Sequence, residues 1–345
     1  MGGGIIGLSL GISLRKQGLR VLILERGEPG REASSAAAGM LVASGAELPK
    51  PLRAMASESA RTYPEFVHEI EDESGGKIDL RAHGTILLMP ADCFSENAQS
   101  LPVSALKKLE PAVACAANVP VGFVEERCLD PRALMTAVLK AAHHRGVDIA
   151  SGSEVKRILV ENGLVTGVES DKTTYASPVV VNCAGAWAGC IAPQPFPVRP
   201  VKGQMLAVVG GPKLKHVVRA EKVYLVPRSD GRIVIGSTLE NAGYNKRTDV
   251  TTIQQLFQAA LEIMPELAQA KKHEDWAGLR PGTPDNLPVL GRTSIAGYFI
   301  ASGHYRDGIL LAPITARMMT DLILDRGSSA ALAPFSPLRF SYNQS

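Results

Sequence analysis

The first 25 residues constrain this 345-residue chain more than any other stretch. Gly2, Gly4 and Gly7 spell G-x-G-x-x-G, an apolar run follows, and Val21-Leu22-Ile23-Leu24-Glu25 ends in an acid 18 positions beyond Gly7. The first glycine permits a tight turn, the second lets backbone approach a pyrophosphate, and the third lets a helix pack closely on a sheet. Gly4, Ile5, Ile6 and Gly7 open that helix, whose free N–H groups and partial positive charge suit phosphate. Glu25 is placed to accept hydrogen bonds from an adenosine ribose. A bare glycine pattern also arises as a chance turn. Here the helix, the buried strand and the spaced acid together predict a dinucleotide site.

Only Met1 precedes the motif, where a β-strand normally leads into it. The expectation is a parallel sheet lacking that strand, with unpaired backbone on its two neighbours. Extending the chain by about ten residues, one strand and its entry, is expected to improve solubility and cofactor retention.

The length suggests two domains, and 45% hydrophobic residues can fill substantial cores. A net charge of +3 from dispersed Lys and Arg gives no case for nucleic acid. The cysteines (Cys93, Cys115, Cys128, Cys183, Cys190) are odd in number and form no C-x-x-C, which fits reduced thiols in a cytoplasm. The apolar run Ile5 to Leu14 is too short to span a membrane and lacks a basic leader. Met1-Gly2 resembles a myristoylation start, but Ile6 stands where Ser or Thr is needed. A cytoplasmic protein with neither membrane nor nucleic-acid partner is expected.

Along the chain, Leu8 to Gln17 reads as the crossover helix, stopped by Gly18. Arg31 to Leu41 is dense in Ser, Ala and Gly, which suits either backbone pressed against a flat ligand or a close-packed helix start. Arg53 to Glu73 has helical apolar spacing, and Gly84 to Met89 reads as a strand. Residues 91 to 128 read as irregular apart from a short helical piece at 101–109. Asp130-Pro131 opens a helix ending at Gly146, with Asp130 as N-cap; His143 and His144 at its end read as solvated. Val155 to Ala176 is a meander, and Pro178 to Gly185 a buried parallel strand. Trp187 reads as core. Four prolines in 193–200 suggest a domain crossing. A β-rich half follows, with Val223–Arg228 and Arg232–Ile235 as a hairpin and Thr251–Met264 as an amphipathic helix.

Two late stretches carry further chemistry. In Trp276 to Asp285, Arg280 sits among glycines and prolines and reads as held in a rigid loop. Tyr298 to Ile309 reads as strand, polar glycine turn and helix start, aiming a helix N-terminus at something anionic.

With these stretches the chain resembles the D-amino-acid oxidase family of FAD-dependent amine oxidases, and within it the branch that oxidises glycine for thiamine thiazole synthesis. The matching runs are Gly2–Gly7, Ser34–Leu41, Val201–Gln204, Tyr224–Arg228, Trp276–Thr283 and Ser302–Leu311. The resemblance implies an α/β fold: a Rossmann-type FAD-binding domain (1–80, 137–192 and 270–330), an α+β substrate domain (81–136 and 193–269) and a tail (331–345). It implies FAD on Gly2, Gly4, Ile5, Ile6, Gly7, Glu25 and Arg26, with Ser34, Ser35, Ala38, Gly39 and Met40 along the flavin. Val155 would lie near adenine, with Ala184 and Gly185 closing that side. His304, Arg306, Asp307, Gly308 and Ile309 would border the isoalloxazine.

Arg280 would grip the substrate carboxylate, for which its planar fork is suited. Tyr224 would donate to the same group, and Arg306 would lie near the substrate. His304, a candidate base in isolation, would serve as a flavin-loop residue. The implied reaction passes hydride from Cα of a small amino acid to flavin N5. Oxygen then gives hydrogen peroxide, and the imine gives ammonia and a 2-oxo acid. Leu239 and Lys222 depart from the Met and His of that branch and bear on substrate preference. No cysteine follows Cys190, so a flavin thioether to a C-terminal cysteine is ruled out and FAD should be non-covalent. D-amino acids or sarcosine, a non-oxygen acceptor, and a non-catalytic flavin protein are the alternatives; oligomeric state is open.

Overall fold

The computed structural model describes residues 1–116, 118–326 and 329–340. Two layers organise it. In the first, helices Ile5–Lys16, Lys50–Ser74, Pro131–His144 and Gly308–Ile323 pack with parallel strands. Leu22–Glu25 pairs in parallel with Asp148–Ser151, and Val180–Asn182 pairs in parallel with Tyr298–Ser302. These two pieces are separate sheets. Met1 and Gly2 lie between them: the Met1 ammonium donates to Val181 O (2.8 Å), Cys183 N to Met1 O (2.9 Å), and Gly2 N to Leu24 O (2.9 Å). The buried faces of all four helices share one apolar core with Phe299 and Ala301.

The helix over Lys50–Ser74 forms as its apolar spacing requires, burying Leu52, Met55, Tyr63, Val67 and Ile70, and Gly75 closes it in the left-handed conformation (φ 62°). In Pro131–His144 the Asp130 carboxylate accepts from Arg132 N (2.8 Å), as the Asp-Pro start predicts.

The second layer is an eight-stranded sheet in the order Lys271–Gly282, Arg199–Val209, Ile233–Gly236, Tyr224–Pro227, Val217–Ala220, Thr85–Leu88, Val121–Val124, Gln99–Leu101. One face packs against the helix Val250–Ile263 through Ile253, Leu256 and Ala260. The other faces the first layer.

Three departures from the sequence reading matter. The stretch 91–128 is not irregular throughout: it contributes Gln99–Leu101 and Val121–Val124 to the sheet edge. Each is three or four residues long, too short for alternation to register. Arg280 is not on a loop but within the 12-residue strand Lys271–Gly282, where Pro281 lies opposite Pro200 at the sheet edge. The segment from 331, expected to be a tail, is not one throughout: the 3₁₀ turns Ser329–Phe335 and Pro337–Arg339 bury Leu332 and Phe335 in the helical core; residues 341–345 lie outside the described residues.

Candidate active site

The two layers meet over a cavity of about 930 Å³, at the upper end of ligand-pocket sizes.

At one end lies the glycine motif. Gly2 has φ +95°, and a Cβ on it would run into the Cys183 carbonyl; a Cβ on Gly7 would overlap Gly2 O. These glycines therefore permit contact between the helix start, the turn and the neighbouring strand. The first helix, capped by Gly4 with no acidic residue in its first turn, opens toward the cavity, and Ile5 N donates to Ser34 Oγ (3.0 Å). The buried Glu25 carboxylate accepts from Gly3 N (2.7 Å) and Gly27 N (2.9 Å). It braces the motif and retains lone pairs for a diol.

The small-residue strip follows. Trp276 Nε1 donates to Ala36 O (3.0 Å) and Arg228 Nη2 to Ala38 O (2.6 Å), while a Cβ on Gly278 would come within 2.6 Å of the Ala36 Cβ. The strip is thus drawn flush against the sheet. Ser34, Ala38, Gly39 and Met40 line the cavity. Ser35 and Gly7, expected as cofactor contacts, are off its wall: Ser35 Oγ donates to Gly30 O, and Gly7 is spent on helix packing.

Gly2, Gly4, Ile5, Ile6, Glu25, Arg26, Val155, Ala184 and Gly185 all lie on the wall, as do His304, Arg306, Asp307, Gly308 and Ile309. Trp187 joins them and is not core. It is half-buried beneath the Arg26 guanidinium (3.5 Å to the ring centroid) and stacks on Tyr244 (5.3 Å). No pattern in the sequence marks it, because its partners are 161 and 57 positions away.

The far end is built on one face of the eight-stranded sheet. Alternation along the edge strand puts Trp276, Gly278 and Arg280 on that face. The cross-strand row Arg219, Tyr224, Gly236, Met205, Trp276 continues it. The Arg280 guanidinium donates through Nη2 to Ser237 Oγ (2.7 Å) and through Nη1 to Thr238 O (3.2 Å). Burial pulls its pKa below the ordinary value, and Tyr224 partly offsets that. Among the described residues no carboxylate pairs with it, so a half-buried cation faces the cavity with donors to spare.

Tyr224 Oη donates to Met205 Sδ (3.2 Å), and burial raises its pKa while Arg280 lowers it. Arg306 is exposed at the rim. Tyr305, at φ +48°, ties this turn to the Arg280 strand by donating from its N to Pro281 O (3.0 Å). His304 is buried, with Nε2 3.1 Å from Thr315 Oγ1, and burial lowers its pKa to about 3. It is a neutral ring, unsuited to proton abstraction at neutral pH. Lys222 lines the cavity; Leu239 does not and is 57% exposed.

The family pattern of FAD dependent oxidoreductases matches residues 1–322. The chain belongs to that family. Its fold is that of a glycine oxidase from Geobacillus kaustophilus, with TM-score 0.93 and 32% identity, covering 99% of this chain and 98% of that one. In sequence it is 34% identical to a glycine oxidase of Bacillus licheniformis, over 94% of this chain and 92% of that protein. It is also 34% identical to a bifunctional protein ThiO/ThiG of Trichormus variabilis, over 99% of this chain but 54% of that protein. The chain thus spans about half the length of the first curated relatives it matches. The glycine cradle, the Glu25 brace and the small-residue stretch Ser34–Met40, a helical turn (Ala33–Ala36) running into extended chain, fit the family's cofactor, FAD. Among the described residues there is no group of side chains able to hold a metal ion, and no helix long and apolar enough to cross a membrane.

Proposed function

We propose that this FAD dependent oxidoreductase oxidises the amine of a small amino acid, glycine foremost. Glycine, oxygen and water would yield glyoxylate, ammonia and hydrogen peroxide, with the intermediate imine open to thiazole assembly in a cytoplasmic thiamine pathway. The observation that carries this reading is Arg280, a half-buried guanidinium on the cavity wall without a carboxylate partner among the described residues. A partly desolvated cation on a cavity wall with no carboxylate beside it is short of one anion. The relatives named glycine oxidase support the substrate class.

When bound, FAD supplies the two-electron acceptor for a hydride leaving the substrate Cα. The chain's own residues orient the donor. Arg280 would hold the carboxylate, with Tyr224 donating to the same group. Met205, Gly203 and Gly236 line the cavity with Arg280 and would bound the space for the Cα substituent. The Ser34–Met40 strip and the start of the helix at Gly308 would seat the isoalloxazine, and Glu25 the ribose. Neutral His304 would contribute shape and not base catalysis. We assign 1–80, 137–192 and 270–330 to the cofactor part and 81–136 with 193–269 to the substrate part; the strand 271–282 is hydrogen-bonded into the substrate sheet and carries Arg280 across.

The test is a visible spectrum followed by anaerobic titration with glycine, sarcosine and D-alanine, with peroxide measured on re-aeration. Bleaching by glycine with stoichiometric peroxide is the expected result. Faster bleaching by sarcosine or D-alanine would move the substrate within the family. Reduction without peroxide, reversed by a quinone, would make the protein a dehydrogenase. A yellow protein that no amine bleaches would overturn the enzymatic reading.

A further inference from the structure

The stretch Val201–Gln204 contributes two polar side chains that the reaction above does not use, and both are buried: Lys202 is 4% and Gln204 0% exposed. Burying a lysine and a glutamine is costly unless their partners are well placed. Their partners lie on the turn that holds Arg280. Glu240 Oε1 accepts from Gln204 Nε2 (2.8 Å) and from Thr238 Oγ1, and its Oε2 is 3.4 Å from Lys202 Nζ. Thr238 Oγ1 in turn accepts from Gln204 N (2.8 Å), while the backbones of Lys202 and Glu240 exchange two hydrogen bonds of 2.9 Å. Lys202 Nζ reaches on to Arg247 O (2.7 Å), and Gln204 Oε1 accepts from Asp249 N (2.7 Å). The segment 237–240 is thereby fastened to the strand Arg199–Val209, next to the sheet edge, by backbone and side-chain bonds together.

That turn supplies both acceptors of the Arg280 guanidinium, Ser237 Oγ and Thr238 O. Both are neutral. They fix the plane of the fork without cancelling its charge, as a directly paired carboxylate would. The nearest fixed anion of the network is one residue further out, bonded to Thr238 and not to Arg280.

We propose that Glu240 is a positioning residue for Arg280, acting through the Thr238 hydroxyl and the turn that this hydroxyl pins. The proposal rests on Arg280 as the carboxylate receptor. Neither Glu240 nor Thr238 lines the cavity, so both act on substrate only through what they hold.

The experiment uses the FAD-loaded protein with acetate as the probe, its binding followed by perturbation of the visible spectrum, alongside KM and kcat for glycine. Thr238→Val and Glu240→Ala should each weaken acetate binding and raise KM about tenfold, the loss of one charged-group hydrogen bond's worth of orientation. Saturating kcat should stay within about twofold, and Thr238→Ser should restore the wild-type values. In an Arg280→Ala background, Thr238→Val should add nothing, because the coupled partner is already gone. Variants that load FAD and melt like wild type yet bind acetate as tightly would overturn the proposal. So would a Thr238→Val effect that persists without Arg280, which would be general loosening. Should Thr238→Val fail to load FAD, Glu240→Ala supports the same comparison from outside the cavity. If wild type and Arg280→Ala bind acetate equally, Arg280 is not the receptor, and that separate result removes the premise.

Discussion

The Arg280 guanidinium lies across the face of Gly203, where a Cβ would overlap Nη1, Nη2 and Cζ. The two residues sit on adjacent antiparallel strands, Gly203 opposite Gly278 and Val201 opposite Arg280. Arg280 therefore reaches the cavity diagonally over a position that must have no side chain. Gly203→Ala should displace the fork and raise the KM for glycine by an order of magnitude or more, while FAD content stays near stoichiometric. Steady-state kinetics with a flavin-to-protein ratio check this; an unchanged KM would mean the fork does not need that path.

At the other end, Gly7 fails for a different reason when a methyl is added. Its Cβ would meet the Gly2 carbonyl oxygen, and backbone cannot swing aside as a side chain can. Gly7→Ala should cost the folded protein about 2 kcal/mol or more and abolish FAD retention through gel filtration. Calorimetry with and without added FAD separates the two losses. A variant that keeps FAD would show that the helix start tolerates retreat from Gly2.

How much of this was legible beforehand follows from the range of each signal. The nucleotide end was readable because its chemistry is local: Gly2 to Gly7 and Glu25 lie within one turn-helix-strand span, so spacing carries meaning. The helix over Lys50–Ser74 and the Asp130 cap were readable for the same reason. Arg280 was singled out from the sequence but misplaced on a loop, because Gly278, Pro281 and Gly282 look like loop composition. At a sheet edge, with Gly278 opposite Gly203 of the next strand, those residues are what lets a strand approach a ligand closely. Trp187, Ser237 and Thr238 had no local mark at all. Their roles come from sheet register and from partners far off in sequence.

Trp187 gives a prediction at the adenosine end. With Arg26 3.5 Å above its ring and Tyr244 against it, the indole closes the wall beside Ala184 and Gly185. A cation–π contact plus the buried ring area is worth about 1–2 kcal/mol. Trp187→Ala should therefore weaken FAD binding about tenfold, read by fluorescence titration of the stripped protein. Turnover at saturating FAD should be unaffected, because the ring partners of the indole are Arg26 and Tyr244. A fall in that turnover would place the indole nearer the chemistry.

Asp307 gives the stability of the protein a pH dependence. It precedes the helix Gly308–Ile323 without capping it, its carboxyl has no hydrogen-bond partner among the described residues, and it lines the cavity. Burial pushes its pKa from 3.8 up to about 7, with Arg306 pulling the other way. Glu47 adds to the rise and Arg219 opposes it. Below pH 3.8 the group is protonated whether the chain is folded or not, and its contribution is constant. Between 3.8 and about 7 the folded protein keeps a proton that the unfolded chain has released, so stability falls as pH rises; above 7 both states are ionised and the loss levels off. Asp307→Asn removes the titration and keeps the shape. The variant should gain on wild type progressively from pH 4 to 7, by on the order of 1–3 kcal/mol, and hold that margin at higher pH. Thermal melts of both proteins across pH 4–9 measure it. A margin that does not change with pH would show that Asp307 is already ionised in the folded protein.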